Sequence, residues 1–150
     1  MIFIGVRNQT IEFKIIDYEI PENQGPSYEA NFLYIELDIK SDFGNWQTDS
    51  CALSTTDFEK IIDWFSKLAR NKPAISQVSF VEKGISFTLL DKTDEKKHIR
   101  IQFHSYCKPQ NRDNNKAYFI DLEVNSSELN SLYERLKKEL DSNPSRGFAE

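Results

Sequence analysis

Along residues 31–40 apolar and polar side chains alternate, with Leu33, Ile35, Leu37 and Ile39 on one side and Tyr34, Glu36, Asp38 and Lys40 on the other. That period of two is the mark of a strand with one core face and one wet face. Apolar or alternating runs at residues 1–6 and 11–20 predict an opening hairpin. Residues 46–53 predict a strand returning from a turn at Asp42, Phe43, Gly44 and Asn45, where Gly44 and Asn45 tolerate positive φ. Further strands are expected at 75–81 and 85–90 around Glu82-Lys83-Gly84, at 98–106 with Ile99, Ile101 and Phe103 inward, and at 118–124.

Two segments change period from two to about 3.6. In the first, Phe58, Ile61, Ile62, Phe65, Leu68 and Ala69 form one stripe, and Trp64 falls on its edge, about 40° from Leu68. Thr56 with Glu59 reads as its capping box, Asp63 and Lys67 as an i,i+4 pair, and Asn71 followed by Pro73 as its stop. In the second, Leu129, Leu132, Tyr133, Leu136 and Leu140 form the stripe, Asn125 and Glu128 the capping box, and Val124 with Leu129 a hydrophobic staple. This helix is expected to end near residues 141–143, before Pro144.

The element order is therefore ββββαββββα. Runs of strands broken by single amphipathic helices do not suit a parallel βαβ series. They predict an α+β fold of two layers, a mostly antiparallel sheet of about eight strands with two amphipathic helices on one face. At 150 residues, with no linker composition, one domain spanning 1–150 is expected. Residues 21–26, with two prolines and a glycine, read as an exposed loop, the charged stretch 91–97 and the polar stretch 108–116 as further loops, and 142–150 as a flexible end.

Charge narrows the partners. The formal net charge is -5, which disfavours phosphate backbones and anionic lipid, so neither nucleic acid nor membrane is expected as a partner. Between 36 and 63, Glu36, Asp38, Asp42, Asp49, Asp57, Glu59 and Asp63 face only Lys40 and Lys60. This is a solvated face or a patch that steers a basic partner. No run is long enough to span a membrane, and residues 1–6 lack the basic start and apolar run of a signal peptide, so a cytoplasmic location is expected.

Candidate chemistry is sparse. Cys51 and Cys107 make neither a disulfide framework nor a zinc site and read as reduced core residues, although a bridge between them is open in principle. Cys51, just before a helix, is the best nucleophile available, yet no base is placed beside it by the sequence. His98 and His104 share a strand face but stand about 20 Å apart along it, too far for one metal. Glu36 and Asp38 share a face as any half-solvated strand would show. Nucleotide-binding, zinc-protease, hydrolase and calcium-loop motifs do not occur. No catalytic residue, metal site or cofactor is therefore assigned. The aromatics that periodicity does not clearly bury are Trp46, Trp64, Tyr34 and Tyr106, residue types that often anchor protein interfaces.

Asn45-Trp46, Cys51-Ala-Leu-Ser-Thr55 and the helix from Phe58 to Ala69, followed by 78–87 and Ile99-Arg-Ile-Gln-Phe103, resemble the WapI-type immunity proteins of bacteria over roughly residues 31–124. The matching positions are mostly cap and core residues, and Ser50-Cys51 and Phe58 are variants of the pattern. The resemblance implies a small cytoplasmic protein that binds and neutralises the toxic domain of a polymorphic toxin, with no catalytic residues to carry over. Contacts are then expected at Tyr34, Glu36, Asp38, Asp42, Trp46, Asp49, Asp57, Asp63 and Trp64. A non-catalytic module binding a small molecule or peptide is the alternative, and an enzyme using Cys51 or a histidine a third reading.

Overall fold

In the computed structural model, which describes residues 1–20, 28–80, 82–93, 95–110, 113 and 115–146, the chain repeats one plan. β1 (Ile2–Ile4), β2 (Thr10–Tyr18), β3 (Phe32–Ser41) and β4 (Gly44–Ser54) form an antiparallel sheet in chain order, here sheet A, and lead into α1 (Thr55–Ala69). β5 (Gln77–Val78), β6 (Ile85–Lys92), β7 (Lys96–Phe103) and β8 (Tyr118–Asn125) form sheet B in the same order and lead into α2 (Ser126–Asp141). The α+β class and the order ββββαββββα are those predicted, with the eight strands among the described residues divided between two sheets. The loop expected at 21–26 lies outside the described residues.

The alternation in β3 does what its period requires: Leu33, Ile35, Leu37 and Ile39 are fully buried, as are Ile99, Ile101 and Phe103 of β7. The helices pack on each other, and α1 spans the junction of the two sheets. Phe58 meets Phe13 of sheet A edge-on at 5.5 Å, while Phe65 touches Phe3 of sheet A at 6.1 Å and Phe87 of sheet B at 5.8 Å. At the other end Phe43, in the β3–β4 turn, packs on Tyr118 and Phe119, and Trp46 packs on Phe103. Gly44, at φ +111, makes that turn where a side chain would be strained.

The cap of α1 corrects the expectation at Thr56. Ser54 accepts from the Asp57 amide at 3.0 Å, and the Asp57 carboxylate accepts from the Ser54 amide at 2.9 Å. Both serine-x-x-acid and threonine-x-x-acid patterns are present, and the earlier one wins because β4 runs without interruption into the helix. Ser54→Ala is expected to lower stability by about 1 kcal/mol, and Thr56→Ala, on an exposed helical position, by far less. Urea denaturation of the two variants checks the assignment. The second box, Asn125 with Glu128, and the 3.0 Å Asp63–Lys67 pair form as predicted.

Three other expectations change. The strand expected at 75–81 is, among the described residues, a short β5 at Gln77–Val78, and the Ile75 carbonyl just before it accepts from the Trp64 indole at 2.8 Å. That same contact buries Trp64, which is therefore not an exposed aromatic. The charged stretch 91–97 is mostly strand: Asp91 and Lys92 end β6 and Lys96 and Lys97 begin β7. Lys97 turns inward and donates from Nζ to Asn71 Oδ1 at 2.5 Å and to the Thr93 carbonyl at 2.9 Å. Asn71, in the left-handed region at φ +54, ends α1 there. Finally, Cys51 and Cys107 are not separate thiols: their Cα atoms are 5.6 Å apart and their sulfurs are joined, linking β4 to the turn after β7. Gly84 permits this closeness, since a Cβ there would sit 2.7 Å from Cys107 Sγ.

Of the end segment 142–150, residues 147–150 lie outside the described residues. Arg146 lies over the Tyr18 ring, donates to the carbonyls of Ile20 and Ala30, and exchanges hydrogen bonds with Asn31. Ser145 donates to Thr55 Oγ1 at 2.7 Å.

Candidate functional site

Sheet A buries its inner face under the helices and leaves its outer face open. Tyr34, Glu36, Asp38 and Asp49 gather on that outer face, in neighbouring rows of β3 and β4. The other predicted contacts lie away from this cluster and have partners within the chain. Asp42 pairs with Arg7 at 2.5 Å, Asp57 caps α1, Asp63 pairs with Lys67, Trp46 turns inward onto Phe103 and Tyr118, and Trp64 is buried.

Two β-bulges shape the face. One falls between Ile15 and Asp17 in the β2–β3 pairing, the other between Ile35 and Leu37 in the β3–β4 pairing, where Leu37 faces Thr48 but Ile35 faces Cys51. A bulge inserts a residue and re-aims the side chains beside it. Ile16, next to the core residue Ile15, and Asp49, next to Thr48 across from core Leu37, point to the outer face by ordinary alternation, and each stands beside a bulge. Together with Tyr34, Glu36 and Tyr106 they line an open cleft of about 640 Å³.

Tyr106 belongs to a single turn, Ser105–Cys107, held against the edge of β4 at three points. Thr48 Oγ1 donates to the Tyr106 carbonyl at 3.0 Å, the Trp46 indole donates to the Cys107 carbonyl at 3.0 Å, and Cys107 is bridged to Cys51. The backbone is thus clamped while the ring, at 71% exposure, stands in solvent. Tyr34 and Ile16 are also exposed, at 45% and 47%. Scattered exposed apolar side chains need no explanation, but a cluster on one sheet face does.

The two outer faces differ in charge. On sheet B the Arg100 guanidinium forks onto Asp121 at 2.8 and 3.0 Å and lies 3.8 Å over the Phe119 ring. Lys96 binds Glu123 at 2.9 Å, which raises the lysine pKa and holds that carboxyl below the usual range, and His98 faces Asp91 at 3.3 Å. On sheet A, Glu12, Glu36 and Asp49 have no ion-pair partner among the described residues. Glu12 even stands directly across from Asp38, a like-charge placement that costs stability. Among the described residues, the outer charges of sheet B are paired with one another, whereas on sheet A Glu36 and Asp49 have no ion-pair partner and stand beside exposed aromatics.

His104 lies at the end of sheet B, with Nε2 2.9 Å from Ser86 Oγ. Burial, and then the charge of Lys108, pushes its imidazole below the ordinary value of about 6.5. The unfolded chain therefore takes up the proton first as the solution is acidified. The His104 contribution is complete above about pH 6.5 and is lost as pH falls through the depressed folded value. Denaturation midpoints are expected to drop less on the acid side in His104→Gln than in the parent chain.

Among the described residues no group of three or more His, Cys, Asp or Glu side chains is placed to hold a metal ion, and no helix is long and apolar enough to cross a membrane. Of the cleft residues, Tyr34, Glu36 and Asp49 follow from strand alternation and Tyr106 from its unburied spacing. Ile16 escapes, since it reads as part of the apolar Ile15-Ile16 run, although alternation from the core residues Ile11, Phe13 and Ile15 puts it outward.

The comparison with curated proteins finds no match. The description of the family model that does match is immunity protein WapI-like family, and the match runs over residues 1–144, wider than the motif-bearing stretch 31–124. It takes in both sheets, both helices and the cleft, and the chain belongs to the WapI-like immunity protein family.

Proposed function

We propose that this chain is a non-catalytic immunity protein that neutralises a cognate bacterial toxin domain by binding it in a 1:1 complex, with the outer face of sheet A as the contact surface. The observation that carries the reading is membership of the immunity family across residues 1–144. The choice of surface is supported by the exposed Tyr34, Tyr106 and Ile16 beside carboxylates without ion-pair partners among the described residues. Rigid aromatics at the centre of a patch supply most interface affinity, and free charge steers association.

In this reading the protein acts in the cytoplasm, where the toxin would otherwise work. Disulfides are rare in that compartment. Cys51 and Cys107 are 4% and 0% exposed, which limits a reducing thiol's access to their bridge.

Co-expression with the toxin domain encoded beside this chain is expected to restore growth and to yield a 1:1 complex on size-exclusion chromatography. Continued toxicity with both partners folded contradicts the proposal.

A further inference from the structure

We infer that the cleft formed by Ile16, Tyr34, Glu36, Asp49 and Tyr106 is a pocket for an arginine side chain of the bound protein. The inference rests on the immunity reading and deepens it, by naming the chemistry that the partner must present.

The occupant is cationic because of what the cleft leaves unsatisfied. Glu36 and Asp49 both line it, and neither has an ion-pair partner among the described residues. Lys14 stands directly across from Glu36 in the β2–β3 register and still makes no ion pair with it. Leaving two carboxylates free on one wall of a concave site favours a cation brought from outside.

The occupant is arginine rather than lysine because of the rest of the lining. Tyr34 and Tyr106 line the cleft with exposed aromatic rings, and a guanidinium can stack on an aromatic ring while donating in its own plane to carboxylates. This chain uses that combination on its other sheet, where Arg100 lies over Phe119 and forks onto Asp121. Ile16 supplies an apolar wall for the aliphatic stem. The clamped backbone of Tyr106 means that little order has to be gained at that wall on binding.

The test uses the full chain and the adjacent toxin domain, the latter carrying substitutions that remove its toxicity. Glu36→Gln with Asp49→Asn, and separately Tyr106→Ala, are compared with Glu123→Gln on sheet B as control. Neutralising the two carboxylates is expected to raise Kd about a hundredfold and to flatten its salt dependence, with the control unchanged. Replacing each exposed arginine of the partner by lysine should then reveal one whose effect disappears in the E36Q/D49N background. An unchanged Kd for E36Q/D49N, or no arginine coupled to it, overturns the pocket while leaving immunity intact. Failure of the unaltered chain to bind at all overturns both. Tyr106→Ala alone losing affinity, with E36Q/D49N unaffected, marks an apolar contact and also overturns the arginine assignment.

Discussion

Replacing Cys51 and Cys107 together by serine is expected to lower stability by about 4 kcal/mol, the chain-entropy value for a bridge closing the 56-residue separation between them. The bridge ties β4 of one sheet to the turn that follows β7 of the other, so its loss frees the two halves of the unfolded chain from each other. Denaturation of the unaltered chain with and without a reductant is expected to show the same difference. Locally, the Ser105–Cys107 turn keeps its hydrogen bonds to Thr48 and Trp46 but loses its covalent tether. Tyr106 should therefore become more mobile on the nanosecond timescale, visible as a lower order parameter in relaxation measurements. Two thiols titrating in the denatured, unreduced protein contradict the bridge.

Phe65→Ala is expected to cost about 3–5 kcal/mol, the usual range for removing a buried phenylalanine. The ring is fully buried and meets Phe3 from sheet A, Phe87 from sheet B and Trp64 from its own helix. Its loss opens a cavity where three elements meet, and none of them can close it without pulling away from another. A surface substitution on the same helix, such as Lys67→Ala, breaks only the exposed Asp63 pair and is expected to cost well under 1 kcal/mol. The ratio of the two effects in urea denaturation tests whether α1 joins the sheets or merely lies on one of them.

What can be read from the sequence follows from how local the cause is. The alternation of Leu33 to Ile39 and the stripe from Leu129 to Leu140 name their own elements, because burial of every second or every third and fourth residue leaves a pattern in the chain itself. The α1 cap is legible only to within two residues, since Ser54 with Asp57 and Thr56 with Glu59 meet the same requirement. Lys97 is illegible: a lysine in a charged run gives no sign that Asn71, 26 residues earlier, will accept its ammonium in the interior. The Cys51–Cys107 bridge and the inward turn of Trp64 are equally long-range. At the site, Tyr34, Glu36 and Asp49 come from strand alternation. Their union with Ile16 and Tyr106 depends on the pairing register of β2, β3 and β4 and on a turn pinned from the opposite sheet, neither of which leaves a period in the chain.

The central claim is that the outer face of sheet A is covered when the toxin domain binds, and hydroxyl-radical footprinting of the complex against the free chain tests it most directly. Tyr34, Tyr106 and Ile16 are expected to lose labelling on complex formation, whereas Leu90 and Ile75, exposed on other parts of the surface, keep theirs. Unchanged labelling of Tyr34 and Tyr106 in a 1:1 complex would contradict the account.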